Sequence, residues 1–382
     1  MRYCKKCVTP DTRPYIKFDE EGICYPCRVH EKMKEVDWGK RWGELEKLAD
    51  EYRGMNGDYY DCIITASGGK DSHYQTYVFK EKLDMNPLIV MADNVSWTKT
   101  GLYNWNNMLS RFGVDGMRYA LNPQICKKMF RKAFEKLGSP TWYFDRAIYS
   151  IPLQIAIKLN ISLIVYGENT SYLRGGPITE DTPDALVQLH NDVVKPVDWD
   201  FWLDDEITMK DLNPGVYPSE EEIKKAKLKS IFLSYYVPWS SHGNYEFAKK
   251  HGFKSLEDTG EWKREGFINN YDQIDTIGYL THTWLKFIKF GHWFNTDYCS
   301  LYIREGRMTR EEAVKYVREN EHILDRRMLK DFIDFIGYNE KDFWKVVDKF
   351  ANRNIVEKRN GVWRLKKNVE KALINGEEVR GE

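Results

Sequence analysis

Residues 62–75 read CIITASGGKDSHYQ, in which a short apolar run ends in a glycine turn and a helix start follows. In a strand–turn–helix arrangement of this kind, backbone N–H groups converge on an anion at the positive end of the helix. Gly68 and Gly69 let the anion approach the main chain closely. Two serines and Lys70 add donors and one positive charge. The stretch therefore predicts a phosphate-binding turn whose natural occupant is a triphosphate.

This turn differs from a Walker A loop, which would require Gly at Ile64 and Ser or Thr at Asp71. A carboxylate beside phosphates is repelled unless it holds a cation such as Mg²⁺. We therefore expect Mg²⁺ between Asp71 and the phosphates. An ordinary tight turn capped by serine would use the same glycines, and it is the alternative interpretation of the motif.

Alternating strand and helix signals surround the turn. Apolar strands are predicted at 59–67, 87–93 and 161–169, with helices between them at about 71–83, 100–112 and 145–159. Short apolar strands separated by helices indicate parallel βαβ units. The expected fold class is α/β, with a doubly wound and mainly parallel sheet. Each strand ends in a polar loop, where ligands of open α/β sheets bind.

The chain of 382 residues is longer than a usual single domain. We predict a cysteine module at 1–30, a connecting amphipathic helix at 31–55 and an ATP-binding α/β domain at 56–274. An aromatic-rich insertion occupies that domain from about 174 onward. A helical C-terminal region at 275–382 contains a capping-box signature, MTREEA, and a helix pair predicted across 328–352.

Two CxxC pairs lie near the N-terminus, with the spacing of structural zinc ribbons. The predicted ligands of a structural Zn²⁺ are Cys4, Cys7, Cys24 and Cys27. Iron is the alternative metal for four thiolates, and His30 is an alternative ligand. The three remaining cysteines are predicted to be small core residues: Cys62, Cys126 and Cys299.

The charge balance and the apolar pattern of the chain argue against a nucleic-acid-binding, membrane-spanning or exported protein. Lys and Arg number 58 and Asp and Glu number 58, so no global field attracts nucleic acid or an anionic membrane. No apolar run reaches the roughly 18 residues that a membrane helix needs. The N-terminal segment MRYCKKC lacks the apolar core of a signal peptide. We expect a cytoplasmic protein with no nucleic-acid and no membrane partner.

The motif SGGKDS after an apolar strand resembles the signature of the PP-loop ATP pyrophosphatases. The resemblance implies cleavage of ATP to AMP and pyrophosphate, a loop that holds the leaving pyrophosphate, and a motif carboxylate that helps bind Mg²⁺. It also implies adenine contacts with the backbone after the second strand. By matching position, the ATP-binding residues are Ser67, Gly68, Gly69, Lys70, Asp71, Ser72, Met91, Ala92 and Asp93.

The whole chain resembles the N-acetyl sugar amidotransferases of bacterial surface-polysaccharide biosynthesis. The shared motifs are the CxxC-V-x-P-D-T-R-P opening, SGGKDS, YGEN at 166–169, YYVPW at 235–239, NYEFAKKHGF at 244–253 and GRMTREEA at 306–313. The resemblance implies conversion of an acetamido group to an acetamidino group on a nucleotide-linked sugar. Ammonia would come from a separate glutaminase, through a channel-forming, cyclase-like second protein.

Further site residues follow from these motifs. Lys70, Asp71 and Glu168 are the predicted catalytic residues, and Asn169 and Trp239 are predicted to bind substrate. As an alternative, Glu168 is only a carboxylate that caps the next turn. Other aromatic residues, which either stack on substrate or fill the core, are Trp142, Tyr143, Trp199 and Trp202.

The rival function is that of a PP-loop tRNA-modifying enzyme of the thiolation type. Such an enzyme would need a reactive or cluster-binding cysteine near the ATP and a basic RNA-binding face. The neutral charge and the N-terminal position of the cysteine pairs argue against it. The chain also lacks a glutaminase motif of its own, because neither Cys126 nor Cys299 lies on a glycine-flanked elbow.

Overall fold

The computed structural model describes residues 1–190 and 197–376. Its centre is a parallel five-stranded sheet. The strands are Cys62–Thr65 (β1), Pro87–Ala92 (β2), Asp115–Tyr119 (β3), Leu163–Tyr166 (β4) and Lys229–Phe232 (β5). They lie in the order β3-β2-β1-β4-β5, so the winding reverses between β1 and β4. Ligands of open α/β sheets bind at such a reversal, beyond the carboxyl ends of the strands.

Helices surround this sheet. The helices before the C-terminal region are Tyr25–Met33 (α1), Trp38–Tyr52 (α2), Lys70–Tyr77 (α3), Lys99–Phe112 (α4), Pro123–Leu137 (α5), Trp142–Leu159 (α6), Thr170–Arg174 (α7), Met209–Leu212 (α8), Glu220–Lys225 (α9), Leu233–Tyr236 (α10), Ser241–Lys250 (α11) and Leu256–Thr259 (α12). A π-helical turn, Val78–Lys82, extends α3, and short 3₁₀ turns span Ala185–His190, Trp199–Phe201, Asn213–Gly215 and Gly278–Leu280.

Both faces of the central strands of the sheet are buried, as a doubly wound fold requires. Ile63 of β1 packs in one core with residues of α5 and α6. Its neighbours Cys62 and Ile64 point to the other face and pack with residues of α2 and α4. This alternation of side chains along one strand fills two separate cores. The predicted α/β class is therefore confirmed.

Several elements were not predicted, among them β3, β5 and α5. The residues of β3 are all exposed at the sheet edge, so the sequence there has no apolar run. The strand β5 has only four residues and lies within the irregular aromatic-rich segment. Residues 123–137, for which no helix was predicted, form α5, where Asn122 accepts the N–H of Gln124 and Pro123 is the first helical residue.

The C-terminal region is mostly helical. It contains Thr281–Phe290 (α13), Phe294–Arg304 (α14), Arg310–Asn320 (α15), Arg326–Ile336 (α16), Glu340–Phe350 (α17) and Lys367–Asn375 (α18). Thr309 and Glu312 form the predicted capping box of α15, and α16 and α17 are the predicted helix pair. An antiparallel hairpin, Val356–Arg359 (β6) and Val362–Leu365 (β7), was not predicted. Residues 377–382 of the predicted region lie outside the described residues.

The predicted connecting helix at 31–55 is two helices. The helix α1 begins within the cysteine module, and Asp37 starts α2 by accepting the N–H of Lys40 at 2.9 Å. An aspartate at this N-cap position stabilises a new helix rather than continuing the old one. The domain boundaries at 30, 55 and 274 stay predictions. Throughout the described ranges, no helix has the length and apolarity needed to cross a membrane.

Candidate active site

The glycine turn lies between β1 and α3, at the reversal of strand order. Gly68 has φ of +82°, and a Cβ there would lie 2.8 Å from the Cα of Trp105 in α4. Gly69 has φ of −70°, so its backbone does not itself demand glycine. Within the described chain, no side chain caps the first turn of α3. Its N–H groups are therefore available to an anion, which distinguishes the turn from an ordinary serine-capped one.

The side chains of Lys70 and Asp71 meet a third residue that the sequence did not single out. The ammonium of Lys70 lies 2.6 Å from Asp71 Oδ2 and 2.7 Å from Asp272 Oδ1. Asn244, the first residue of the NYEFAKKHGF motif, donates to Asp71 Oδ1 at 2.7 Å. Lys70 and Asp272 are both buried. The cluster joins the turn, α11 and the segment before the C-terminal helices.

Asp272 reaches the turn because its segment packs against the start of α4. The N–H of Thr98 donates to the carbonyl of Asp275 at 2.9 Å. A Cβ at Gly101 would lie 2.4 Å from the Cα of Asp275, so only glycine permits this close approach. No local pattern around Asp272 announces this role, because the contact depends on packing between distant parts of the chain.

The electrostatics keep the lysine charged. Burial by itself lowers the pKa of Lys70, but the carboxylates of Asp272 and Asp71 more than offset this effect and raise it well above its usual value. One oxygen of Asp272, Oδ2, is buried and has no hydrogen-bond partner in the described chain. A buried carboxylate oxygen without a donor fits a cation. Asp71 and Asp272 offer oxygen ligands of the kind that Mg²⁺ prefers, and binding of Mg²⁺ here stays a prediction.

Glu168 and Asn169 follow β4, on the other side of the strand reversal. The guanidinium of Arg174 lies 3.1 Å from Glu168 Oε1. It is Asn169 rather than Glu168 that caps α7, by accepting the N–H of Tyr172 at 3.0 Å. Arg174, a residue that the sequence did not single out, therefore gives Glu168 a charged partner, and the alternative capping interpretation of Glu168 is wrong.

These groups border one cavity of about 380 Å³, here called the turn cavity. Its polar and charged lining consists of Arg13, Ser67, Lys70, Asp71, Ser72, Asn104, Glu168, Thr170, Arg174, Tyr271, Asp272, Gln273, Asp275, Lys286, Asp297 and Tyr298, together with the glycines of the turn. The three predicted catalytic residues thus lie around one space. The N-terminal and C-terminal regions supply much of the rest. Arg13 is part of the CxxC-V-x-P-D-T-R-P motif, whereas no sequence motif pointed to Lys286 or Tyr298.

The predicted adenine region is at the end of β2, the strand next to the one that carries the turn. Met91 and Ala92 are buried in the two cores at the end of β2. Asp93 accepts the indole N–H of Trp97 at 2.7 Å, and its own N–H donates to the carbonyl of Tyr119. None of the three side chains lines the turn cavity. Contact between adenine and this backbone stays a prediction.

Trp239 lines a different cavity, of about 240 Å³, which shares Glu168 and Arg174 with the turn cavity. The other aromatic candidates line neither of these two cavities: Trp142, Tyr143, Trp199 and Trp202. Trp142 and Trp202 are fully buried, with ring centroids 4.7 Å apart. For those four residues the core interpretation is the better one.

The four predicted metal ligands form one buried cluster. The Sγ atoms of Cys4, Cys7, Cys24 and Cys27 all lie within 4.8 Å of one another. The N–H groups of Cys7 and Cys24 donate to Cys4 Sγ at 3.4 and 3.3 Å. Four thiol groups with N–H donors to sulfur fit a tetrahedral metal such as Zn²⁺. His30 is not part of the cluster, and the choice of zinc over iron stays a prediction.

The cysteine module is tied to the C-terminal region. Arg310 of α15 donates to the carbonyl oxygens of Cys4 and Cys7 at 3.4 and 3.3 Å. Arg13, which follows the first cysteine pair, forms an ion pair with Asp297 of α14. The module therefore has a role at the candidate site, because it brings Arg13 to the turn cavity. The remaining cysteines, Cys62, Cys126 and Cys299, are buried as predicted.

Residues 265–370 match a family model described as LPS biosynthesis protein WbpG-like, C-terminal domain. The matched segment includes Asp272, Lys286 and Tyr298 of the turn cavity. The match is limited to this C-terminal segment, and it agrees with the resemblance to proteins of surface-polysaccharide biosynthesis that the sequence motifs indicated.

Among curated proteins, the chain is 29% identical over 170 residues to uncharacterized protein MJ1599 of Methanocaldococcus jannaschii. The aligned residues make up 44% of this chain and 60% of the length of the relative. A solved structure described as a predicted subunit of tRNA methyltransferase from the same organism is 14% identical, with a TM-score of 0.26. The structural match covers 50% of this chain and 75% of the solved chain. A TM-score this low supports no inference about function.

Proposed function

We propose that the chain is an ATP-dependent sugar amidotransferase of surface-glycan biosynthesis. The proposal rests on the segment that matches the WbpG-like domain and on its contact with the glycine turn. The chain converts the acetamido group of an N-acetyl sugar to an acetamidino group and releases AMP and pyrophosphate. The observation that carries this proposal is the Lys70–Asp71–Asp272 cluster beside the uncapped N-terminus of α3. The family domain itself supplies Asp272.

The reaction needs activation because an amide carbonyl is a weak electrophile and its oxygen a poor leaving group. In the first step the carbonyl oxygen attacks the α-phosphorus of ATP, and the bond to pyrophosphate breaks. In the second step ammonia adds to the carbon of the resulting imidate and loses a proton. AMP then leaves with the former carbonyl oxygen, so that one oxygen is exchanged for one nitrogen.

The residues of the turn cavity suit the first step. The charged Lys70 and the free N–H groups of α3 stabilise the negative charge of the departing pyrophosphate. Asp71 and Asp272 would hold Mg²⁺, which neutralises phosphate charge when bound. Arg174 keeps the carboxylate of Glu168 in place at the edge of the same cavity, where Glu168 orients the acceptor. Catalysis here is positional and electrostatic rather than covalent.

Ammonia comes from a separate glutaminase in this proposal, through a cyclase-like protein. Cys62, Cys126 and Cys299 are all buried, and burial raises the pKa of each thiol, so none is suited to attack glutamine. The purified chain should therefore use ammonium but not glutamine as nitrogen source.

The tRNA-thiolation alternative requires a cysteine at the ATP. No cysteine lines the turn cavity among the described residues, which include all seven cysteines of the chain. This favours the sugar amidotransferase. Retention of the protein on tRNA, with release at moderate salt, would instead favour the RNA enzyme.

The test is incubation with ATP, Mg²⁺, ammonium and a panel of UDP-linked acetamido sugars. We expect AMP, pyrophosphate and a sugar product lighter by the mass difference between O and NH. A heavy-oxygen label in the acetamido carbonyl should appear in AMP. Release of ADP, or heavy oxygen retained in the sugar, would refute the adenylation scheme.

A further inference from the structure

A second cavity of about 380 Å³ lies beside the turn cavity. We call it the side cavity, and its lining consists of Arg13, Pro14, Tyr15, Tyr149, Asn169, Thr170, Ser171, Gly175, Gly176, Pro177, Ile178, Gln188, Lys286, Phe290 and His292. Three residues border both cavities: Arg13, Thr170 and Lys286. The two cavities therefore adjoin at these three side chains.

The charges of the side cavity favour an anion. Its lining contains two cations, Arg13 and Lys286, and no Asp or Glu. Arg13 is neutralised by Asp297, but Lys286 forms no ion pair within the described ranges. Burial lowers the pKa of Lys286, as expected for an ammonium without a close carboxylate. An anionic group would give this half-buried cation a partner at the junction of the two cavities.

Two other lining residues are buried without the hydrogen bonds that they need. In the described chain, neither ring nitrogen of His292 has a hydrogen-bond partner, and the amide Nδ2 of Asn169 also has none. His292 is 2% exposed and Asn169 is 4% exposed. Burial lowers the pKa of His292 to about 3, so the ring is neutral and offers one donor and one acceptor. Buried polar groups without hydrogen-bond partners destabilise the folded protein, and a polar ligand that bonds to them offsets this destabilisation.

We propose that the side cavity is the acceptor site and binds a nucleoside-diphosphate-linked acetamido sugar, with Lys286 and Arg13 on the diphosphate. His292 and Asn169 then bond to sugar hydroxyl or acetamido groups. This assignment rests on the proposed function. Tyr15, which is 59% exposed, provides an aromatic face at the cavity for the base.

The test is calorimetric binding of UDP-N-acetylglucosamine, UDP and N-acetylglucosamine to the full chain. The wild-type protein should bind the first most tightly, UDP less tightly and the free sugar weakly. Lys286→Met should weaken binding of UDP-N-acetylglucosamine by about tenfold or more, and His292→Leu by about fivefold. Because His292 does not line the turn cavity, His292→Leu should leave binding of an unreactive ATP analogue within about twofold of wild type.

Matched controls separate binding from folding. Lys289→Met and His282→Leu change the same residue types on α13, but neither residue lines either cavity. Both controls should bind UDP-N-acetylglucosamine as wild type does. His292→Leu should not lower the thermal midpoint, since it removes a buried neutral ring without hydrogen-bond partners, and a neutral ring forms no ion pair with Asp297.

Failure of the wild-type protein to bind any of the three probes would overturn the assignment. If the two cavity variants and their controls bound UDP-N-acetylglucosamine equally well, the assignment of the side cavity would also be overturned, even if AMP-forming amidotransfer were observed. A different outcome separates the two proposals. If the wild-type protein forms no AMP but the cavity variants still lose binding of the sugar nucleotide, the binding site is supported and the proposed reaction is rejected.

Discussion

The Lys70 ammonium lies 2.7 Å from Asp272 Oδ1, although one residue follows the first strand and the other lies beyond the fifth. Both side chains are buried, so their charges are poorly screened by water. Asp272 belongs to the segment that matches the WbpG-like domain. The sheet therefore carries the turn, but the segment before the C-terminal helices supplies a carboxylate that holds the lysine in its charged form.

Replacing Asp272 by Asn should impair both stability and catalysis. The variant leaves the buried Lys70 with Asp71 as its one close carboxylate, and we expect a loss of about 1–3 kcal/mol in the free energy of unfolding. AMP formation should fall by about a hundredfold or more. Urea unfolding and an AMP assay measure the two effects.

The matched control for Asp272→Asn is Asp334→Asn. Asp334 pairs with Lys330 on the exposed face of α16, one turn away. Exposed pairs contribute about 0–1 kcal/mol, so this variant should be nearly as stable as wild type. Equal losses of stability in the two variants would contradict the role assigned to the buried pair.

Gly68→Ala should prevent the turn from forming. The substitution combines a positive φ with a Cβ 2.8 Å from the backbone of Trp105. Gly54 has a similar φ of +71° but open space around its Cβ position, so Gly54→Ala isolates the conformational cost of about 1–2 kcal/mol. We expect Gly68→Ala to cost more than this control and to lose binding of an ATP analogue. A Gly68→Ala variant that binds the analogue normally would show that the turn tolerates a side chain.

Removal of the metal should unfold the N-terminal cysteine module while the rest of the protein stays folded. Metal binding by four thiolates supplies about 10–16 kcal/mol in small zinc modules, so chelation should disorder residues 1–30. Arg13 then leaves the turn cavity and the activity falls, while the sheet stays folded. Hydrogen exchange and metal analysis would follow the change.

Cys4→Ser should reproduce the effect of chelation. Cys126→Ser is its control, because Cys126 is buried in the core and is not part of the cluster. One Zn²⁺ per chain in wild type and in the control, and none in Cys4→Ser, is the expected result. A brown iron chromophore would exclude zinc.

Glu321→Gln should change how stability depends on pH. Glu321 is buried and accepts the N–H of Trp293 at 2.5 Å, and burial raises its pKa to about 8. Its raised pKa favours the folded state while the carboxyl is protonated. That contribution is complete below the unfolded pKa of about 4.5 and is lost as the pH rises through about 8. The thermal midpoint should therefore fall between these pH values in wild type and fall less in the variant.

Glu312→Gln is the control for the pH experiment. The bonds from the backbone and hydroxyl of Thr309 lower the pKa of Glu312, so its contribution is lost as the pH falls, not as it rises. Above about pH 5 this variant should show the same pH slope as wild type. An unchanged slope in Glu321→Gln would mean that Glu321 does not titrate in this range.

The sequence predicted elements whose signals are local. The turn at 67–72, the spacing of the four cysteines and the capping box of Thr309 and Glu312 each depend on a few neighbouring residues. Strands β1, β2 and β4 were found because they are buried on both faces and have continuous apolar runs. Strand β3 was missed because its edge position leaves its residues exposed.

What the sequence by itself determined is the glycine turn at 67–72 and its local chemistry, since six consecutive residues carry their own conformational and charge preferences. The tertiary structure alone decided which groups surround it. Asp272, Arg13 and Lys286 come from opposite ends of the chain, and they meet at the turn because the cysteine module and the C-terminal helices pack together around it. Such a meeting depends on the packing of many residues, and no short pattern around any one of the three encodes it.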